Sequence, residues 1–322
     1  MLNISLIIPC FQRVEQTIRT IDLIFSSNGL GKDFGLELIV SDSSPDEDLM
    51  NAVRKKYADK VAYTKPSPPG IAANKNQGAR IAKNNIIIFC DSDIEVEADT
   101  IKNTLASLKK NKKAAAIGGK VLWKGGPEDG KNDRPRPEDR RQTLNGVTYV
   151  EALYSRYMAT YKSIFFDVGG YDEDVFNMRG EGSDLSVRYW SAGYPLVYDS
   201  SIITHHVEEV EGGIIRGVEH PEWGIAKDFL LLAYKYGLTD SDKNFVKTVK
   251  SNFGKFGDEG YFLTIEGIIR NLDFIVEKKP FLDAWKKNFK PKYKFKFLEI
   301  FSDEKMFEDC IKKAPDRYVS FK

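Results

Sequence analysis

The chain has 322 residues, 42% of them hydrophobic and 30% charged, which excludes a disordered or fibrous protein. Lys+Arg 48 against Asp+Glu 47 leaves a net charge of +1, so the basic excess of a nucleic-acid binder is missing. No run of about 18 apolar residues offers a membrane span. The opening Met1-Leu2-Asn3-Ile4-Ser5 has neither a basic n-region nor a cleavage site, so no secretory signal is expected. Cys10, Cys90 and Cys310 are few and far apart, which points to a reducing, cytoplasmic setting and to neither a disulfide framework nor a zinc cluster.

Strand and helix alternate over the first hundred residues. Ser5-Leu6-Ile7-Ile8 reads as a buried strand stopped by Pro9. Residues 14–28 put Val14, Ile18, Ile21, Ile24 and Phe25 on one helical face, with Gly29 as the stop. A strand over 36–40 follows. Ser44-Pro45-Asp46-Glu47 has the spacing of a capping box and predicts a helix through about Tyr57. Val61-Ala62-Tyr63 is a third strand, 66–70 a proline-rich loop, 71–83 a helix and Ile86–Cys90 the most apolar strand. The βαβαβαβ order predicts a mostly parallel sheet flanked by helices, with ligands outside the carboxyl ends of the strands. Neither Gly-x-Gly-x-x-Gly nor Gly-x-x-x-x-Gly-Lys-Ser/Thr follows the first strand, which disfavours dinucleotide and P-loop enzymes.

Farther on, a helix is expected near 99–112 and a strand near 114–122. Lys124 to Arg141 is rich in Gly, Pro and charge and reads as a mobile loop. Order resumes near Leu144. Gly169-Gly170-Tyr171-Asp172 marks a turn, 183–192 a helix, and 196–204 a strand ending at His205-His206. Helical patterns dominate from Pro221. The division expected is a catalytic region over 1–217 and a smaller helical region over 218–322, facing an acceptor or a membrane.

Asp91-Ser92-Asp93 directly follows the apolar strand. Two carboxylates one residue apart can hold a divalent cation between themselves and a phosphate. Asp42, also at a strand end, can accept hydrogen bonds from a nucleotide base, or serve as the acid of a turn. Lys75 reads equally as a point charge for phosphate or a solvated helix lysine.

These segments together resemble family-2 glycosyltransferases with the GT-A fold. Ile7-Ile8-Pro9-Cys10-Phe11-Gln12-Arg13 looks like their first strand, and Val40-Ser41-Asp42-Ser43-Ser44 like their second, whose acid contacts the base. The segment Gly70–Gly78 resembles the one beneath the diphosphate, and Asp91-Ser92-Asp93 their metal-binding Asp-x-Asp. Gly169–Glu173 and Gly180-Glu181-Gly182-Ser183-Asp184-Leu185 resemble the acceptor-side motif, and the strand ending at His205-His206 their closing histidine strand. The likeness covers roughly residues 4–206.

The resemblance implies a GT-A-like α/β fold and transfer of a sugar from a nucleoside-diphosphate donor, with UDP-sugars favoured, to a glycan, lipid carrier or peptide. It implies Mn²⁺ or Mg²⁺ held by Asp91, Asp93 and His205, with His206 and His220 as the other candidates. Pro9, Phe11, Arg13, Asp42, Lys75, Asp91 and Ser92 would hold the nucleotide sugar, and Glu181 and Asp184 would serve the acceptor. One departure stands out: Gly182 occupies the position where inverting relatives carry the base. Either Glu181 or Asp184 then supplies it, or the anomeric configuration is retained. A degenerate binding domain without turnover is the alternative, as is a sugar-phosphate nucleotidyltransferase, although the loop after the first strand lacks that class's glycines. Lys286–Phe297 alternates basic and aromatic residues, as a surface for anionic lipid or as an edge strand guarded by lysines.

Overall fold

The computed structural model describes residues 1–125, 129–134, 141–176, 180–207, 221–236, 257–295 and 300–317. Strands β1 (Leu2–Cys10), β2 (Phe34–Asp42), β3 (Val61–Thr64) and β4 (Ile86–Cys90) pair in parallel in the order β3-β2-β1-β4. Every residue of β4 is buried, as five consecutive apolar side chains in a strand covered on both faces require.

Antiparallel β10 (Tyr157–Tyr161) ends the parallel block at β4. The sheet continues through β6 (Ala116–Lys124), β11 (Leu196–Val207), β9 (Val147–Val150) and β8 (Arg141–Leu144). Short β5 (Ile94–Val96) pairs with β11, and β7 (Asn132–Arg134) with β6. The expected α/β sheet is present, parallel in its N-terminal half and mixed beyond it.

Helices α1 (Val14–Phe25), α2 (Asp48–Tyr57), α3 (Ile71–Ile81) and α4 (Thr100–Lys110) flank the sheet. Gly78 lets α3 lie close on β1: a Cβ there would fall 2.3 Å from Ile7 Cγ2. Four further helices are α5 (Lys162–Asp167), α6 (Glu181–Ala192), α7 (Pro221–Lys235) and α8 (Gly257–Arg270), followed by α9 (Leu272–Asn288) and α10 (Glu304–Lys313).

Several local expectations are corrected. Pro9 lies inside β1 and does not stop it: the β1–β4 ladder ends at Ile7, while the pairing with β2 runs on through Pro9 and Cys10. Helix α2 opens only at Asp48, with no side-chain cap, because the Ser44 hydroxyl is bonded to Asp42 Oδ1 at 2.6 Å. Part of the expected loop from Lys124 to Arg141 is a β6–β7 hairpin, closed by Trp123 N donating to Lys131 O at 2.9 Å. The β8–β9 hairpin turns on Asn145 and Gly146, both at positive φ, the pairing such turns favour. Lys286–Asn288 end α9, and Tyr293 and Phe295 are buried rather than set along an edge strand; Lys296 and Phe297 lie outside the described residues.

The C-terminal residues divide between two apolar clusters. Phe295, Ile300, Phe307 and Ile311 join the main core, where Trp190 stands 5.8 Å from both Phe295 and Phe307. Leu231, Leu232 and Leu282 instead pack with Val175, Phe176 and Val187.

Candidate active site

The carboxyl ends of β1 and β4 and the distal part of β11 bring one polar group together. Asp93 Oδ2 receives Arg13 Nη1 at 2.6 Å and lies 3.4 Å from His206 Nε2. Arg156 Nη1 is 3.0 Å from His206 Nδ1. A guanidinium only donates, so Nδ1 accepts, and in the neutral ring the proton sits on Nε2, toward Asp93. Trp123 stacks beside the imidazole with centroids 4.4 Å apart. Burial pushes the Asp93 carboxyl up, but His206 and the charges of Arg13 and Arg156 prevail and hold it well below the usual carboxylate range.

Strand alternation decides between the two histidines. Neighbours in a strand face opposite ways, and β11 directs His205 to Glu97, 2.9 Å away, and His206 to Asp93. His206 therefore replaces His205 as the histidine beside the Asp-Ser-Asp segment. His220 lies outside the described residues.

A second group adjoins the first through Asp91. Lys75 is completely buried, with Nζ 3.0 Å from Asp91 Oδ1, 3.7 Å from Glu181 Oε1 and 3.1 Å from Ser155 O, to which it donates. The solvated-lysine reading fails, and Lys75 is engaged by protein oxygens rather than open to phosphate. Burial raises the Asp91 carboxyl pKa, and the Lys75 charge offsets this only in part. Ser92 is buried, its carbonyl accepting from Thr20 Oγ1 at 3.0 Å.

Glu181 Oε1 accepts from Ser155 Oγ at 2.5 Å, so α6 opens against the segment leading into β10. A Cβ on Gly182 would lie 3.4 Å from Leu153 O and from Ser155 N. At that distance a side chain would meet this backbone in ordinary van der Waals contact. Asp184 faces elsewhere: it is fully buried and receives Arg188 Nε at 2.9 Å, Arg188 Nη2 at 2.6 Å, Lys235 Nζ at 2.7 Å and Tyr236 Oη at 2.8 Å. Burial raises its pKa, but Arg188 and Lys235 outweigh this and bring it down to about 2. Both oxygens of Asp184 are therefore engaged by protein donors.

Asp42 is also buried. Its Oδ1 receives Ser44 N at 2.8 Å and Ser44 Oγ at 2.6 Å, and its Oδ2 receives the Tyr63 hydroxyl. Phe11 is half-buried between Cys10 and Gln12, the latter at positive φ. A cavity of about 500 Å³ is lined by Asp172, Arg188, Lys235 and Trp285 among others; Asp91, Asp93 and Glu181 do not line it.

Sequence reasoning missed Arg156, Ser155, Lys235 and Tyr236, which arrive from distant segments without a motif. Arg188 had a signal, standing four residues after Asp184 on one helix.

Residues 5–167 match the family described as Glycosyl transferase family 2. The chain belongs to this family. A "Probable N-acetylgalactosaminyltransferase 9" of Caenorhabditis elegans is 27% identical over 188 residues, 48% of this chain and 31% of that protein, so the chain aligns with about a third of its relative's length. Solved structures similar to it include GalNAc-T7 with UDP, GalNAc and Mn²⁺ (TM-score 0.54, 17% identity, 84% of this chain and 57% of the other). The mannosyltransferase PcManGT from Pyrobaculum calidifontis with GDP-Man and Mn²⁺ is similar over 97% of this chain and 85% of the other (TM-score 0.53, 13% identity). S. aureus TarS 1–349 aligns over 88% and 89% (TM-score 0.52, 13% identity). At these identities the likeness is one of fold, and the fold is that of the GT-A glycosyltransferases.

Among the described residues no three His, Cys, Asp or Glu side chains form a ready metal cage. The donors nevertheless fit a divalent cation in kind. Two carboxylates and an imidazole suit Mn²⁺ or Mg²⁺. Arg13 meanwhile places on Asp93 the positive charge that a cation would bring.

Proposed function

We propose that this family member transfers a hexosyl group from a nucleoside-diphosphate sugar, UDP-linked by preference, to an acceptor nucleophile. The observation that carries the reading is the contact of Asp93 with both Arg13 and His206 at the carboxyl end of the parallel block. The donors named in the similar structures, UDP with GalNAc and GDP-Man, support a nucleotide-sugar partner.

Asp91, Asp93 and His206 would hold Mn²⁺ or Mg²⁺. When bound, the ion supplies Lewis-acid neutralisation of the diphosphate leaving group. Pro9, Phe11 and Asp42 border the nucleotide, and Asp42, fixed by Ser44 and Tyr63, would offer the one lone pair left on Oδ2 to the base. Arg13, released from Asp93, turns its guanidinium to a phosphate. Lys75 aligns Asp91 and favours its ionised form against the effect of burial. Glu181 is the group left to take the acceptor proton, since Asp184 has no open oxygen. Ser155 and Lys75 hold it in place.

Acceptors of the glycan, lipid-carrier and peptide classes all offer a hydroxyl for this step. The test is donor consumption with and without Mn²⁺, followed by NMR of the product. Sugar transfer that stops on chelation supports the reading. Nucleotide binding without turnover on any of the three acceptor classes overturns it in favour of a binding domain.

A further inference from the structure

We infer that α8 and α9 form a docking face for an anionic lipid bilayer. This stands independently of the transfer chemistry. Nine large hydrophobic side chains are exposed among the described residues, and six of them, Phe262, Ile265, Ile269, Leu272, Val276 and Phe281, are on these two helices. Scattered exposed apolar residues are ordinary, whereas a contiguous set marks an interaction surface.

Phe262, Ile265 and Ile269 are spaced by three and four residues on α8, and Leu272 and Val276 by four on α9, each the repeat of one helical face, and their exposures run from 52% to 73%. Helical spacing carries that face onward along α9 from Leu272 and Val276 to Lys279, Lys286 and Lys287. Asp283 shares it and is bonded to Lys279 at 2.7 Å. From Lys278 to Phe295 the chain has seven lysines and one acid, an excess of six positive charges in a chain whose total is +1.

The face is thus apolar at one end and basic at the other, and this gradient selects the occupant. Two copies paired in parallel would set lysines against lysines. Paired antiparallel, they would set lysines against Phe262 and Ile265. An anionic bilayer accepts both ends, apolar side chains in the acyl boundary and lysines at the headgroups. Leu282, on α9, packs with Val187 of α6, so the bilayer would lie one helix away from the acceptor-side motif.

Vesicle co-sedimentation of the full chain tests the proposal, using phosphatidylcholine alone and an equimolar mixture with phosphatidylglycerol. Partitioning should be at least about tenfold stronger on the anionic vesicles and weaken in high salt. Ile265→Ser with Ile269→Ser should lower it about tenfold without changing the melting temperature. Lys286→Glu with Lys287→Glu should remove at least about twenty-fivefold and sharply reduce the preference for phosphatidylglycerol, since each lysine is worth about fivefold. Equal binding by all variants overturns the assignment. So does a dimer in sedimentation velocity that the isoleucine pair dissolves while vesicles are ignored, because the face then belongs to a second copy.

Discussion

Lys75 Nζ lies 3.0 Å from Asp91 Oδ1 and 3.7 Å from Glu181 Oε1, with no part of the lysine side chain exposed. One ammonium therefore joins the Asp-Ser-Asp segment after β4 to the first residue of α6. A buried ion pair adds little net stability, but removing one partner strands the other in low dielectric. Lys75→Met is expected to lose about 3 kcal/mol in urea unfolding. Mn²⁺ with UDP should restore part of that, by supplying the missing charge beside Asp91. An unchanged unfolding midpoint would mean that Asp91 is sufficiently solvated without the lysine.

The two histidines of β11 give a sharper contrast. His206 faces Asp93 and His205 faces Glu97. His206→Ala should weaken Mn²⁺ binding at least tenfold in calorimetry, about the low end of a lost ligand contact, and His205→Ala should leave it within a factor of about two. The reverse order would return the metal role to His205.

Asp42→Ala is expected to raise the donor KM with kcat nearly kept. A base contact is felt equally in the ground and transition states, so its loss weakens binding without slowing chemistry. Tyr63→Phe should give a smaller change in the same direction, since the tyrosine only steadies Oδ2. A large fall in kcat at unchanged KM would contradict the base contact.

The sequence was most informative where chemistry is local. The parallel block was legible because its strands are short apolar runs, three of them running into Pro, Ser or Asp, and the alternation of elements leaves few topologies. The placement of Asp91 and Asp93 just beyond β4 was legible for the same reason. The choice of His206 over His205 was not, since it depends on which face β11 turns toward β4. Nor was the enclosure of Asp184, because Lys235 and Tyr236 reach it from α7 and the residue after it, about fifty positions away. The Ser44 capping box failed through competition: the hydroxyl that fits an N-cap also fits Asp42, two residues back.

Asp184 has its own pH signature. Its carboxyl ordinarily titrates at 3.8 and is brought down to about 2 in the fold by Arg188 and Lys235, against the opposing effect of burial. A depressed folded pKa gives stability that is fully present above the unfolded value and is lost as pH falls through the folded one. The shift corresponds to about 2 kcal/mol. Asp184→Asn should therefore be less stable than the parent at neutral pH. The gap should narrow between about pH 5 and pH 2, as the parent loses its advantage. Chemical denaturation across that range is the measurement, and a pH-independent gap would mean that the aspartate's charge contributes nothing.

Glu181 and Asp184 begin the same helix turn but should behave differently in catalysis. Glu181→Gln keeps the size and most of the hydrogen bonding to Ser155 yet cannot take a proton. If Glu181 is the general base, kcat should fall by about 10²–10⁴-fold and the acidic limb of the pH–rate profile should change. A single in-line attack would then invert the anomeric carbon. Asp184→Asn, measured on the folded fraction, should cost far less kcat, because its oxygens are held by Arg188, Lys235 and Tyr236 and never face an acceptor. Gly182 bears on the same question. The Leu153–Ser155 backbone sits 3.4 Å from where its Cβ would be, an ordinary contact, so Gly182→Asp is expected to fold and to place a second carboxylate beside Glu181 and Ser155. NMR of the product anomer before mutarotation fixes the stereochemistry. An inverted product together with indifference to Glu181→Gln would remove Glu181 from the mechanism. A retained product would mean that the glutamate orients the acceptor without accepting its proton.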